Sequence, residues 1–114
     1  MIKQLCPPAT AVGAGGNIQT VGFGLPNVPQ SPMLGEMNRL TIGVYASATT
    51  TITIFVSYDN GTTWMAATTR GTDTPVSISL TGASGQAVEI VPAPNVKIVS
   101  SASVNLTAYA YISN

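Results

Sequence analysis

The sequence is poor in charge and contains no histidine. Among its 114 residues, four Lys or Arg and four Asp or Glu give a charged fraction of 7%. Ordinary soluble domains carry about 25%. With zero net charge and no basic run, the chain shows nothing that indicates binding to nucleic-acid phosphates. Soluble monomers normally keep a charged surface to stay dispersed, so this composition favours contact with other protein, with a neutral secreted β domain as the alternative.

The side chains that most metal and catalytic sites require are also scarce. Without histidine, and with Cys6 as the single cysteine, the chain lacks the usual zinc ligands and cannot form an internal disulfide. No histidine is present to activate a serine or cysteine nucleophile. The acidic residues are Glu36, Asp59, Asp73 and Glu89. We therefore predict that the protein is not an enzyme and binds no metal or cofactor.

Long apolar runs are missing as well. Residues 1–8 lack the hydrophobic region of a signal peptide, and no stretch approaches the length of a membrane span. No segment combines a helical period with capping residues. The prediction is a protein without membrane contact that is built from strands.

Residues 1–38 differ from the rest because proline and glycine interrupt them. Proline lacks the N–H donor that a central strand needs, and glycine weakens strands. We predict an extended N-terminal arm with at most one short strand, roughly over residues 18–23. Since the arm is apolar and poor in charge, it is predicted to lie along a neighbouring protein, with Leu5, Pro7 and Pro8 among the contact residues.

From Arg39 onward, short segments of alternating apolar and polar residues follow one another at regular intervals. A period of two is typical of strands, because successive side chains point to opposite faces of a sheet. The apolar rows expected to form two inner faces are Leu40/Ile42/Val44, Ile52/Ile54/Val56, Val76/Ile78/Leu80, Val88/Ile90, Val96/Ile98 and Val104/Leu106.

These segments amount to seven strands, or eight with one from the arm. Even spacing with turns between predicts an all-β, antiparallel β-sandwich over residues 39–114. The strand count fits a jelly roll and an immunoglobulin-like order equally. We predict a jelly-roll-like sandwich with an extended N-terminal arm.

The most specific segment is the hairpin that follows the Thr-rich strand. Aspartate at its turn can bond loop amides, and Asn60-Gly61 supplies positive φ. The segment matches the Asp-box motif at Ser57, Asp59, Gly61, Thr63 and Trp64. In sialidases and other families with this motif the hairpin is structural, and the tryptophan packs beneath it. Sialidases also need an arginine cluster, which two arginines cannot supply, so the resemblance implies a hairpin with Trp64 in or near the core and no activity.

In the order of its elements, the chain from residue 38 to 114 resembles the small β-sandwich proteins of tailed-bacteriophage virions. The segments that carry the resemblance are VSYDNGTTW, VEIVPAPNVKIVS and VNLTAYAYIS. The resemblance implies a non-enzymatic virion structural protein, made in the host cytoplasm, that decorates or cements the capsid surface. Its partner would be the major capsid protein or another virion protein. A homo-oligomer is implied, with a trimer favoured.

Aromatic residues leave a second function open, a tail- or fibre-associated module that binds a carbohydrate or receptor. Tyr109 and Tyr111 alternate with Ala108 and Ala110, so the two tyrosines are predicted to lie on an outer face. There they would either form a contact stripe for a partner or pack under the arm. The aromatic platforms for a sugar would be Tyr45, Tyr58, Tyr109, Tyr111 and Trp64.

Overall fold

The computed structural model describes residues 2–20 and 39–113, and these residues form ten strands and no helix. No helix able to cross a membrane therefore occurs among them. The strands are β1 (Ile2–Gln4), β2 (Thr10–Val12), β3 (Asn17–Thr20), β4 (Arg39–Ala46), β5 (Thr50–Ser57), β6 (Met65–Ala66), β7 (Ser77–Leu80), β8 (Ser84–Ile90), β9 (Asn95–Ser100) and β10 (Val104–Ser113).

The strands form two antiparallel sheets. Sheet A has the order β1-β10-β4-β8, and β2 also pairs with β10. Sheet B has the order β3-β9-β5-β6, and β7 also pairs with β5. β1 and β2 both pair with β10, on the side opposite β4. β6 and β7 likewise both pair with β5, on the side opposite β9. The ten segments therefore occupy eight strand positions.

The order of these eight positions is that of a jelly roll. The first position pairs with the last (β1 and β2 with β10), the second with the seventh (β3 with β9), and the third with the sixth (β4 with β8). The fourth and fifth pair with each other (β5 with β6 and β7). Such nested pairing is one long antiparallel ladder rolled into two sheets. The predicted all-β sandwich is confirmed, and the pairing distinguishes it from an immunoglobulin-like order.

The core lies between the two sheets and is formed by the predicted apolar rows. Leu40, Ile42, Ile52 and Leu106 have no exposed surface. Alternation along β10 adds Ala108, Ala110 and Ile112 to the buried set. Val88 is only partly buried, because β8 is an edge strand with a neighbouring strand on one side.

The described part of the N-terminal arm differs from the prediction. Residues 2–20 contain β1, β2 and β3, which pair with β10 and β9, so the expectation of at most one strand there is wrong. Proline and glycine lie in the connections: Pro7 and Pro8 separate β1 from β2, and glycines separate β2 from β3. Residues 21–38 lie outside the described residues, so the domain boundary at residue 38 stays a prediction.

Candidate functional site

The Asp-box hairpin is held by a network around two side chains. The Ser57 hydroxyl donates to Asp59 Oδ1 at 2.7 Å and accepts the Gly61 N–H at 2.9 Å. Asp59 Oδ1 also accepts the Thr63 N–H at 2.8 Å. The Ser57 hydroxyl, followed by the Thr63 N–H, lowers the pKa of Asp59 from 3.8 to about 2, because both bonds stabilise the carboxylate. Asp59 thus makes the loop hydrogen bond that its position in the turn predicts.

Trp64 does not enter the core between the sheets, so the prediction is wrong where it placed Trp64 in the core. It is half-buried, and its ring lies 5.1 Å from Lys97 Nζ, which also lies 5.2 Å from the Phe55 ring. Phe55 and Lys97 are cross-strand partners, and the neighbouring residue Ile54 is the one that points inward. Trp64 therefore covers the outer face of sheet B through a cation–π contact.

The acidic side chains of Asp59 and Glu89 are engaged in separate structural contacts. Glu89 accepts two hydrogen bonds from the Arg39 guanidinium at 2.9 and 3.0 Å, and Arg70 lies 3.5 Å away. The hydrogen bond from Arg39 lowers the pKa of Glu89. Asp59 belongs to the hairpin after β5 in the other sheet. Within residues 2–20 and 39–113, no group of three His, Cys, Asp or Glu side chains lies close enough to hold a metal ion.

The candidate functional site is a patch on the outer surface of sheet A. Strand alternation directs Tyr109 and Tyr111 outward, with 41% and 51% of their surface exposed. Tyr45 on β4 and Ile2 on β1 are exposed on the same surface, at 48% and 68%. We call this patch the tyrosine face and define it by Ile2, Thr41, Gly43, Tyr45, Ala87, Tyr109 and Tyr111.

Strand register places a groove at the centre of the tyrosine face. Gly43 lies opposite Tyr109 on one side and opposite Ala87 on the other. In the neighbouring row, two residues further along β10, Tyr111 lies opposite Ile2. Because Gly43 and Ala87 have little or no side chain, the tyrosines border a shallow groove of about 420 Å³. The groove offers aromatic rings and aliphatic groups, and it carries no charge.

Two glycines shape this surface in different ways. A Cβ at Gly43 would have no neighbour within 4 Å, so the absence of a side chain there keeps the groove open. A Cβ at Gly85 would lie 2.9 Å from the Val44 carbonyl oxygen and 3.3 Å from the Tyr45 ring. Gly85 thus allows the ring of Tyr45 to lie close against β8.

The partner-contact residues predicted from sequence lie in different surroundings in the structure. Tyr109 and Tyr111 are exposed together, and β1 pairs beside them and does not cover them. Leu5 is buried in this chain's own core, so its assignment as a partner contact is wrong. Pro7 and Pro8 are exposed in the turn between β1 and β2.

Sequence reasoning did not find Ile2 as part of the face and did not connect Tyr45 with the two tyrosines of β10. The signal for Tyr45 was its position on β4, out of phase with the buried Ile42 and Val44. The pairing of β4 with β10, which brings the rings together, has no local signal. Tyr58, another predicted sugar platform, lies in the Asp-box hairpin, where its hydroxyl donates to the Pro92 carbonyl oxygen at 3.1 Å.

The fold and this surface define the class of protein: an antiparallel jelly-roll domain with an exposed, uncharged tyrosine face. No protein-family model matches the chain, and no curated protein matches its sequence.

Proposed function

We propose that the protein is a non-enzymatic virion structural protein that decorates or cements the outer surface of a capsid. The observation that carries the proposal is the tyrosine face. Tyr45, Tyr109, Tyr111 and Ile2 expose apolar surface in one patch. Aromatic residues are enriched and charged residues depleted at the centres of protein interfaces, so a second protein surface is the partner that this patch suits. The partner is the major capsid protein or another virion protein.

The mode of attachment follows from the strands of the arm. Residues 2–20 pair with β9 and β10 of the same chain, so they do not reach a neighbour as a tether. Attachment in this proposal is through the outer face of sheet A. A homo-oligomer would place several such faces over a junction of shell subunits, and weak contacts would add up to high avidity.

The contacts of Asp59 and Glu89 support a non-enzymatic role. Asp59 is held by Ser57 and the Thr63 N–H in the hairpin, and Glu89 is paired with Arg39. Neither carboxylate lies on the groove of the tyrosine face.

Shell binding tests the proposal directly. The gene is first located relative to a major capsid protein gene, and purified protein is then mixed with shells of that virus and sedimented. The double variant Tyr109→Ser/Tyr111→Ser is expected to lose at least about tenfold in affinity, because two aromatic anchors are removed. Tyr58→Ser is the control, since Tyr58 is similarly exposed but lies in the hairpin. Equal binding by the double variant and wild type would reject the tyrosine face as the attachment surface.

A second candidate function is a tail- or fibre-associated module that binds a carbohydrate. It is favoured by the groove over Gly43, where tyrosine rings flank an open floor, because sugars stack their apolar faces on aromatic rings. Gly43→Val would fill the groove without a clash at Cβ, and it is expected to abolish sugar binding in a glycan array. No signal above background for the wild-type protein would remove this candidate.

A further inference from the structure

β8 ends sheet A as a seven-residue strand, and no other strand of residues 2–20 and 39–113 pairs with it on the side away from β4. Among the described residues, its outer side meets only the segment after β6 at one end, through the bridge from Thr69 to Ile90. There the Glu89 carbonyl oxygen accepts the Arg70 N–H at 3.0 Å, so the backbone of Glu89 points away from β4. Backbone direction alternates along an antiparallel strand, so the N–H and C=O groups of Gly85 and Ala87 also point outward.

This edge lacks the features that usually prevent strands from pairing between molecules. Natural edge strands carry charges or prolines, or they are short or interrupted. The opposite edge of sheet A is interrupted between β1 and β2, where Pro7 and Pro8 lie. The edge formed by β6 and β7 is interrupted too, and β3 is only four residues long. Residues 84–88, in contrast, contain neither charge nor proline.

The geometry points to a homodimer in which β8 pairs with β8 of a second copy, antiparallel and about a twofold axis at Gln86. In this register Gly85 lies opposite the partner subunit's Ala87, and Ala87 lies opposite the partner subunit's Gly85. Each of these two pairs exchanges both N–H and C=O groups, which makes four hydrogen bonds across the axis.

A second copy is the occupant because the edge is complementary to itself. Glu89 uses its outward carbonyl oxygen for Arg70. The other two residues of β8 with outward backbone groups, Gly85 and Ala87, are placed symmetrically around Gln86, as an isologous interface requires. Their side chains are absent or small, and the two Gln86 amides can hydrogen-bond across the axis. With zero net charge, two copies do not repel one another.

The dimer has a structural consequence for sheet A. Joining the two edges makes one continuous sheet, and the two tyrosine faces then lie side by side on its outer surface. Ala87 belongs to both the edge and the tyrosine face, so the apolar surface is extended across the twofold axis. This inference does not depend on what the tyrosine face binds.

Ala87→Pro tests the dimer because it removes an N–H that faces the edge and leaves the bonds to β4 intact. Ala87→Val is the matched control, since it changes the side chain and keeps the donor. Sedimentation equilibrium over a range of concentrations should give dimers for wild type and Ala87→Val, and monomers for Ala87→Pro at the same concentrations. Wild-type protein that stays monomeric up to about 1 mM would overturn the proposal, and so would an Ala87→Pro variant that dimerises as well as wild type.

Amide hydrogen exchange on wild-type protein gives a second readout if Ala87→Pro fails to fold. The amides of Gly85 and Ala87 are expected to exchange more slowly, by about tenfold or more, as the concentration rises through the dimerisation range. A dimer or trimer in which these two amides exchange as fast as in the monomer would place the interface elsewhere and overturn the proposal.

Discussion

The side-chain amide of Asn95 donates a hydrogen bond to the backbone carbonyl oxygen of Ser57 at 2.8 Å, and neither residue has exposed surface. The bond joins the first residue of β9 to the last residue of β5. It lies at the point where the Asp-box hairpin leaves sheet B. A buried polar contact therefore holds the base of the hairpin, while Trp64 covers the outer face of the sheet.

Replacing Asn95 by alanine should destabilise the fold. Asn95→Ala removes the donor to the buried Ser57 carbonyl oxygen and leaves a space, so we expect a loss of about 2–3 kcal/mol in the free energy of unfolding. Asn105→Ala, at an exposed position of β10, is the control and should stay within about 0.5 kcal/mol of wild type. Urea unfolding measures both. Equal stability of the two variants would mean that the Asn95 amide does not hold the hairpin.

Asp59 should make stability depend on acidity. Its pKa is lowered to about 2 in the folded protein, so its contribution is fully present above the unfolded value of 3.8 and is lost as pH falls through the folded value. In Asp59→Asn this contribution is missing. The difference in unfolding free energy between wild type and Asp59→Asn should therefore be constant near neutral pH and shrink between about pH 4 and pH 2.

Thermal unfolding of the two proteins across this pH range measures the difference. The pKa of Glu89 is also lowered, by its hydrogen bond with Arg39, so Asp59→Asn should keep some loss of stability in acid. Glu89→Gln is the control, because it removes the contribution of Glu89 to the acid dependence. With Glu89→Gln present in both proteins, the effect of Asp59→Asn on the unfolding free energy should still shrink as the pH falls. A difference that stays the same down to about pH 2 would contradict the role of Asp59.

The two glycines of sheet A should respond in opposite ways to alanine. Gly43→Ala adds a Cβ into open space and restricts the unfolded chain, so we expect a gain of about 0.5–1 kcal/mol in stability. Gly85→Ala brings its Cβ to 2.9 Å from the Val44 carbonyl oxygen, so we expect a loss of about 1–3 kcal/mol. Urea unfolding of both variants is the measurement. A loss at Gly43 as large as at Gly85 would show that the groove floor has no room.

The first residues should matter for folding because they belong to the core. Leu5→Ala removes a buried side chain and should cost about 2–4 kcal/mol. Pro7→Ala changes an exposed residue in the adjacent turn and should stay within about 0.5 kcal/mol. Calorimetry or urea unfolding distinguishes the two. If Leu5→Ala were as stable as Pro7→Ala, the N-terminal segment would not be packed as described.

The local sequence pattern predicted the parts of the fold that depend on residues adjacent in the chain. The alternation of Ile52 and Ile54 with Thr51 and Thr53 predicted β5 and its buried face, because successive side chains of any strand point to opposite sides. Pattern failed where a partner strand decides the outcome. The segment containing Leu5 has too little periodicity to reveal a strand, and it becomes ordered because β10 offers a free side for pairing.

The sequence by itself determined the class of fold and the chemistry of the Asp-box hairpin, since strand period, turn residues and the bonds of Asp59 are all local. Only the tertiary structure decided the jelly-roll order, the position of Trp64 outside the core and the joining of Tyr45 with Tyr109 and Tyr111. The physical reason is that these features come from pairing between segments far apart in the chain. Such pairing depends on the packing of whole sheets and has no signature in a short stretch of residues.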